Sequence, residues 1–326
     1  MKINVLGAGA WGTALACLLH ESKHAITLWG HSADHLEEMR RTGRNNRYLP
    51  DILLPRHWTL ENDLAKAVQT AECVVVAVPS KAFREVTRAL ADFAGVAVTV
   101  TKGLEHDTGL TMSGILQANA PRARIAALSG PTLAPEVARG VPSAIVAAAR
   151  DEATAQVVQK LFHRPSFRVY TSTDLTGIEL GGALKNVIAL AAGVCDGLGF
   201  GENSKAALIT RGIAEMRRLG VACGARPETF SGLSGLGDLT VTCFSRLSRN
   251  RGFGESFGKG QKVPDILAGM VQVAEGYPTA KSAYQLARKL GVTTPIVDEV
   301  HAMLYEGKSA GEALRDLMGR DSKAED

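Results

Sequence analysis

Lys185 is the only charged residue in the run LGGALKNVIALAAGVC, which spans 180–195. The run is long, apolar and free of proline, and this pattern predicts a largely buried helix. A buried ammonium is costly unless it has a partner. Loss of solvent also favours the neutral amine, which moves a lysine toward useful proton exchange. Three and four positions away lie Gly181, Gly182, Ile188 and Ala189, neighbours of Lys185 on the helix face. Glycine weakens a helix by about 1 kcal/mol relative to alanine, so paired glycines signal a need for space, for another molecule or for a close backbone. A second reading keeps the lysine stem buried with its head in water, the glycines serving helix contact. This stretch alone leaves both open.

The second chemical element is Gly7-Ala8-Gly9-Ala10-Trp11-Gly12. A short apolar strand at 3–6 precedes it and a helical pattern at 13–19 follows. Strand, GxGxxG and helix together form a dinucleotide-binding arrangement. Gly7 permits the tight turn, Gly9 admits the pyrophosphate to the backbone, and Gly12 lets the helix pack on the strand. The helix N-terminus then faces the phosphates. A second strand at 25–29 completes the context. After it comes Trp29-Gly30-His31-Ser32, with no acid until Asp34, and with Arg40, Arg41, Arg44 and Arg47 downstream. An acid after this strand usually bonds the ribose 2′-OH of NAD. Its absence predicts that NADP(H) is accepted, with NAD(H) as a second cofactor.

Two further clusters are basic or glycine-rich. Residues 231–239 read SGLSGLGDL and predict a loop able to wrap closely around a ligand. Residues 245–251 hold Arg246, Arg249 and Arg251 with Ser248 and Asn250. Guanidinium groups pair phosphate oxygens bidentately, so this segment reads as an anion site or as a solvated basic loop. It lacks the interleaved aromatics that stack nucleic-acid bases.

These residues need elements to position them. Strands are predicted at 72–78, 96–101, 124–128, 143–148 and 167–170, with helices at 81–93 and 151–163, the latter capped by Asp151. The alternation predicts an α/β Rossmann-type doubly wound, mostly parallel sheet over 1–172. Ligands of such sheets lie beyond the strand C-terminal ends, where Pro79-Ser80, Lys102-Gly103 and Gly130-Pro131-Thr132 fall. Beyond 172 the pattern turns helical, at 173–194, 204–219, 264–270, 279–290, 295–305 and 311–318, predicting an all-α domain over 173–326. At 326 residues the chain is long enough for two cores. A net charge of +4 argues against general attraction to nucleic acid or membrane. The five cysteines form no CxxC pair, which predicts free thiols in a reducing, cytoplasmic setting and no metal site. No uninterrupted apolar run of membrane-spanning length is expected. A polar tail occupies 321–326.

Motifs along nearly the whole chain resemble bacterial NAD(P)-dependent glycerol-3-phosphate dehydrogenases: GAGAWGTALA at 7–16, LWGH at 28–31, TKGLE at 101–105, SGPTLAPE at 129–136, LGGALKNVIA at 180–189, ALITRGIAEM at 207–216, GLGDL at 235–239, SRN at 248–250 and EGY at 275–277. The resemblance implies reversible NAD(P)H-dependent reduction of dihydroxyacetone phosphate to sn-glycerol 3-phosphate for phospholipid synthesis. It implies Lys185 as proton donor and acceptor. Lys102, Gly130, Thr132, Asp238, Ser248, Arg249 and Asn250 would line the substrate, with Arg249 on its phosphate. Ala10, Trp11, His31, Lys102, Ala134, Arg249, Val273 and Glu275 would touch the dinucleotide. Pro135 and Phe244 depart from the usual pattern and leave local loop shape open. A homodimer through the helical domain is a further expectation. Two other readings are a related β-hydroxyacid or ketopantoate dehydrogenase, and a non-catalytic dinucleotide sensor.

Overall fold

The computed structural model describes residues 1–322 and residue 324, so the tail expected at 321–326 falls partly outside the described residues. Among the described residues there are ten strands: β1 Lys2–Leu6, β2 Ala25–Trp29, β3 Arg44–Asn45, β4 Leu49–Leu53, β5 Thr59–Glu61, β6 Cys73–Val76, β7 Val96–Thr99, β8 Arg124–Ser129, β9 Ser143–Ala149 and β10 Phe167–Ser172. Eight form one sheet in the order β10-β9-β8-β7-β6-β1-β2-β5. Every pairing in it is parallel except β8 with β9. Its central strands are buried on both faces because successive side chains alternate sides. Ile3, Val5, Cys73, Val75, Val96 and Val98 join one apolar cluster. Leu6, Val74, Val76 and Ala97 join the other. The chain runs outward from β1 in both directions, which makes the β1/β6 position the switch point of a doubly wound sheet.

The small β3–β4 hairpin and edge strand β5 have no counterpart in the sequence reading. Residues 44–53 carry no apolar alternation, and β5 is three residues long.

Contacts divide the chain into two compact units, residues 1–102 with 110–179, and residues 103–109 with 180 onward. The second unit is helical. Helix Leu175–Gly197 is the one described helix long and apolar enough to cross a membrane, and its most apolar stretch is 94% buried. That length and composition exceed the sequence expectation. Glycines set how closely its neighbours approach. A Cβ at Gly193 would lie 2.0 Å from the Arg251 carbonyl oxygen, and one at Gly197 2.4 Å from that of Glu255. Reciprocally, a Cβ at Gly254 would lie 2.0 Å from the Leu190 oxygen, and one at Gly258 2.6 Å from that of Val194. Two glycine pairs at i, i+4 thus face one another across the crossing with helix Arg249–Gly258. Gly181 meets the Ser234 carbonyl in the same manner, at 2.7 Å from a built Cβ. Of the two uses of space open to Gly181, close packing of backbone is the one realised.

Glu215, on helix Glu202–Ala222, caps helix Pro295–Tyr305. Its carboxylate accepts the Ile296 N–H at 2.8 and 3.0 Å and the Val297 N–H at 3.3 Å. Burial pushes its pKa up from 4.5 to about 7, against the pull of those N–H groups. The folded state therefore holds this proton longer than the unfolded state. Stability from this group is full below pH 4.5 and is lost as pH rises through about 7. Replacement of Glu215 by glutamine keeps an acceptor and removes the titration. Relative to wild type, the Glu215→Gln protein is expected to gain on the order of 3 kcal/mol between pH 4.5 and 8. Urea unfolding at both pH values measures this, and parallel pH curves for the two proteins would refute it.

Candidate active site

The first unit carries the glycine turn. Gly7 has φ +125°, and a Cβ there would lie 2.5 Å from the Ala77 carbonyl oxygen. At Gly12 it would lie 2.0 Å from the Gly7 oxygen. At Gly9 it would meet nothing within 4 Å. Two glycines are thus required by the protein's own backbone, while the third borders open space. Helix Ala10–Glu21 starts from Gly9 without a side-chain cap and without an acid in its first turn. Its N–H groups and positive dipole end face that space, the arrangement that favours a phosphate. The Trp11 indole nitrogen is buried with no hydrogen-bond partner among the described residues. A dinucleotide pyrophosphate fits this turn.

His31 stands exposed just beyond β2. Ser32 is spent as the cap of helix Ala33–Thr42, accepting from the His35 N–H. Three of the four downstream arginines have local partners. Arg40 pairs with Glu37 at 2.9 Å and donates to the Leu60 carbonyl. Arg44 donates to the Pro50 carbonyl at 3.0 Å, and Arg47 lies over the Tyr48 ring.

Lys102, Gly130 and Thr132 gather at one carbonyl. The Lys102 ammonium donates to the Gly130 oxygen at 3.0 Å, and the Thr132 hydroxyl donates to the same atom at 3.1 Å. Gly130 has φ +155° and its Cβ position lies 3.0 Å from Ile145 Cα, so only glycine makes this reversal from β8. Ala134 opens helix Ala134–Ala138, with Pro135 in the first turn. A proline suits that position because its missing N–H would have no helical acceptor there.

In the second unit Lys185 has partners. Its ammonium donates to the Thr242 hydroxyl at 2.7 Å and pairs with the Asp238 carboxylate at 3.0 Å. Thr242 in turn donates to the Asp238 carbonyl at 2.6 Å, one helical turn back. All three residues are buried. The lysine head is therefore paired inside the protein rather than extended into solvent. Asp238 is the first residue of helix Asp238–Phe244, and the expected glycine loop before it is a π-helical turn, Leu233–Gly237.

The expected basic loop is also corrected. Ser248 caps helix Arg249–Gly258 by accepting the Arg251 N–H, so Arg249, Asn250 and Arg251 form its first turn. Arg251 points inward and pairs with Asp196 at 2.6 Å and Glu255 at 3.3 Å. Asp196 also pairs with buried Lys205 at 2.6 Å. Asn250 is buried, donating to Asn186 Oδ1 at 2.8 Å and accepting the Gly276 N–H at 2.8 Å. Its amide ties three segments together. Arg249 is solvent-exposed, and no hydrogen bond or ion pair with a described residue engages its guanidinium. Surrounding protein holds its pKa below the ordinary arginine value, with Glu275 acting in the opposite sense. An accessible guanidinium can take an anion. Val273 is exposed and Glu275 half-buried, just ahead of helix Gly276–Leu290.

Sequence reasoning missed Thr242, Asn186, Asp196 and Lys205. Only Thr242 carries a local signal, a polar residue one helical turn after Asp238.

Two family profiles match the chain. One, described as NAD-dependent glycerol-3-phosphate dehydrogenase N-terminus, matches residues 2–155, and one described as the C-terminus matches 174–315. The chain is 50% identical over its whole length to glycerol-3-phosphate dehydrogenase [NAD(P)+] of Syntrophotalea carbinolica, covering 99% of that protein. It is similar to the crystal structure of glycerol-3-phosphate dehydrogenase from Coxiella burnetii, with 36% identity, a TM-score of 0.94 and coverage of 98% and 99%. A ketopantoate reductase from Ralstonia eutropha shares the fold alone, at 16% identity and a TM-score of 0.62 over 93% of this chain and 97% of that one.

The Lys185–Asp238 pair carries a stability expectation. Removing one partner of a buried pair leaves a charge uncompensated, at a cost of about 3–5 kcal/mol. Asp238→Ala is expected to lose that much in urea unfolding, and Lys185→Met with Asp238→Leu to recover part of it. A double variant that loses the sum of the Lys185→Met and Asp238→Leu losses would show that the pair is not coupled.

Proposed function

Because the chain belongs to the NAD-dependent glycerol-3-phosphate dehydrogenase family, we propose that Lys185 gives and takes the proton in its reaction. The enzyme is an NAD(P)-dependent oxidoreductase that interconverts dihydroxyacetone phosphate and sn-glycerol 3-phosphate, a precursor of glycerophospholipids. The bound nicotinamide supplies the hydride that reduces the ketone. Charge then develops on the former carbonyl oxygen, and a proton must reach it. A cation held in a water-poor setting stabilises that oxygen and supplies the proton. The observation that supports Lys185 is its burial with Thr242 and Asp238. Thr242 accepts from the ammonium and so limits its directions, while Asp238 offsets the charge.

Arg249 is the proposed phosphate partner, since its side chain is solvent-exposed and carries a cation beside the turn that Ser248 caps. Ser248 and Asn250 act by shaping its turn, their side chains being committed internally. Lys102, Gly130 and Thr132 form the proposed polar cluster of the first unit. Gly7, Gly9, Ala10, Trp11, Gly12, His31, Ala134, Val273 and Glu275 are the proposed dinucleotide contacts, and NADP(H) is accepted beside NAD(H) because no acid follows β2. A cytoplasmic homodimer completes the reading, with Leu247 and Val271 exposed in the helical unit. Light scattering that gives one chain's mass would remove the dimer.

Oxidation of NADPH and NADH by the purified enzyme, followed by absorbance, tests these assignments. Rapid turnover is expected with dihydroxyacetone phosphate, with kcat/KM at least about 100-fold lower for unphosphorylated dihydroxyacetone, as lost charge-assisted bonds imply. Lys185→Ala is expected to bind NADPH normally while turnover falls by about 100-fold or more. Retained turnover would remove Lys185 from the mechanism, and an affinity for NADPH far weaker than that for NADH would overturn the reading that NADP(H) is accepted.

A further inference from the structure

Asn45 lies in the β3–β4 hairpin, 0% exposed, in a stretch whose sequence shows no chemistry. Its side chain reaches the glycine turn. Nδ2 donates to the Ala8 carbonyl at 3.0 Å and to the Thr13 hydroxyl at 2.8 Å. Oδ1 meets His35 Nε2 at 3.0 Å. The carbonyl of Ala8 can only accept, so the amide orientation is determined: nitrogen toward the turn, oxygen toward His35. His35 Nε2 must then carry the proton. The ring of His35 is itself braced edge-on by Tyr48, with centroids 5.3 Å apart.

Ala8 and Gly9 share one planar trans peptide, in which C=O and N–H point in opposite directions. Holding the Ala8 oxygen against Asn45 therefore aims the Gly9 N–H away from Asn45. Gly9 is the position whose added Cβ would meet nothing within 4 Å. We infer that Asn45 is a positioning residue for dinucleotide binding, which locks the Ala8–Gly9 peptide so that the Gly9 N–H presents to the cofactor's pyrophosphate. The residue type follows from the geometry. Aspartate has no donor for the Ala8 oxygen, and alanine leaves that carbonyl without its partner. The His35 bond extends the same lock to helix Ala33–Thr42, which starts just past His31.

This inference rests on the turn being the pyrophosphate site, and a separate variant tests that premise. Gly9→Ala adds a methyl group into open space, so the fold tolerates it while phosphate approach is obstructed. Its affinity for NADPH, followed by nucleotide fluorescence, is expected to fall at least tenfold; unchanged affinity would refute the turn as the site. Asn45→Ala and Asn45→Asp, in the full-length enzyme, are expected to raise the Kd for NADPH and for ADP-ribose together by about tenfold or more. The KM for dihydroxyacetone phosphate and kcat at saturating NADPH should stay within about twofold, which separates positioning from general damage. Thr13→Ala removes one bond of the same network but leaves the Ala8 carbonyl held, and is expected to change the Kd by less than about threefold. Impaired Gly9→Ala with normal binding by both Asn45 variants would overturn the inference. Equal losses for Thr13→Ala and Asn45→Ala, or a parallel fall in kcat, would overturn it as well. Should Asn45→Ala fail to fold, the Asn45→Asp and Thr13→Ala pair decides the outcome alone.

Discussion

Backbone-to-backbone approach around residues 180–197 is the constraint on which the helical unit depends. Gly193 and Gly197 against Gly254 and Gly258 bring two helices so close that a single methyl group would strike a carbonyl. That approach brings Arg251 to Asp196 and Asn250 to Asn186. Gly181 allows the turn at Ser234 to come as near, and the next residues deliver Asp238 and Thr242 to Lys185. Overpacking a tight contact costs about 1–3 kcal/mol. The larger consequence is geometric, because every polar partner on this face shifts with the backbone.

The charges on that face follow a common logic. Lys185 and Asp196 lie eleven residues apart, about three turns, and so share one side of the helix. Lys185 holds the segment that begins at Asp238, and Asp196 holds the one that begins at Arg249. Between these anchors the chain needs only residues 245–248 to connect. Arg249 is left facing solvent because Arg251, two positions on, faces inward. The three arginines of the sequence thus do different work, and their spacing on a helix separates them.

What the sequence makes legible is whatever is local or periodic. Strands β1, β2, β6, β7, β8 and β9 appear as apolar runs because a sheet buried on both faces needs them, and edge strand β10 appears through its alternation. The glycine turn is legible since strand, turn and helix are contiguous. Lys185 stands out as one charge in an apolar helix, but Asp238 is 53 positions away and nothing local links the two. Asn45 was invisible for a related reason: its partners Ala8 and Thr13 precede it by more than 30 residues, and its own hairpin has no apolar period. The start of a helix at Arg249 is masked by glycines at 252, 254 and 258, which disfavour a helix, although the latter two serve the crossing.

The same helix has an early life that the folded state conceals. Leu175–Gly197 passes for a membrane span by length and composition, and only its neighbours distinguish it. The helix that crosses it through Gly254 and Gly258 is encoded later in the chain. At about 5–20 residues per second, roughly 60 further residues take on the order of 3–12 s to emerge. For that interval the nascent chain displays an apolar segment that insertion machinery and holding chaperones are built to recognise. The order of synthesis, as much as the final energy, decides whether this helix reaches its place.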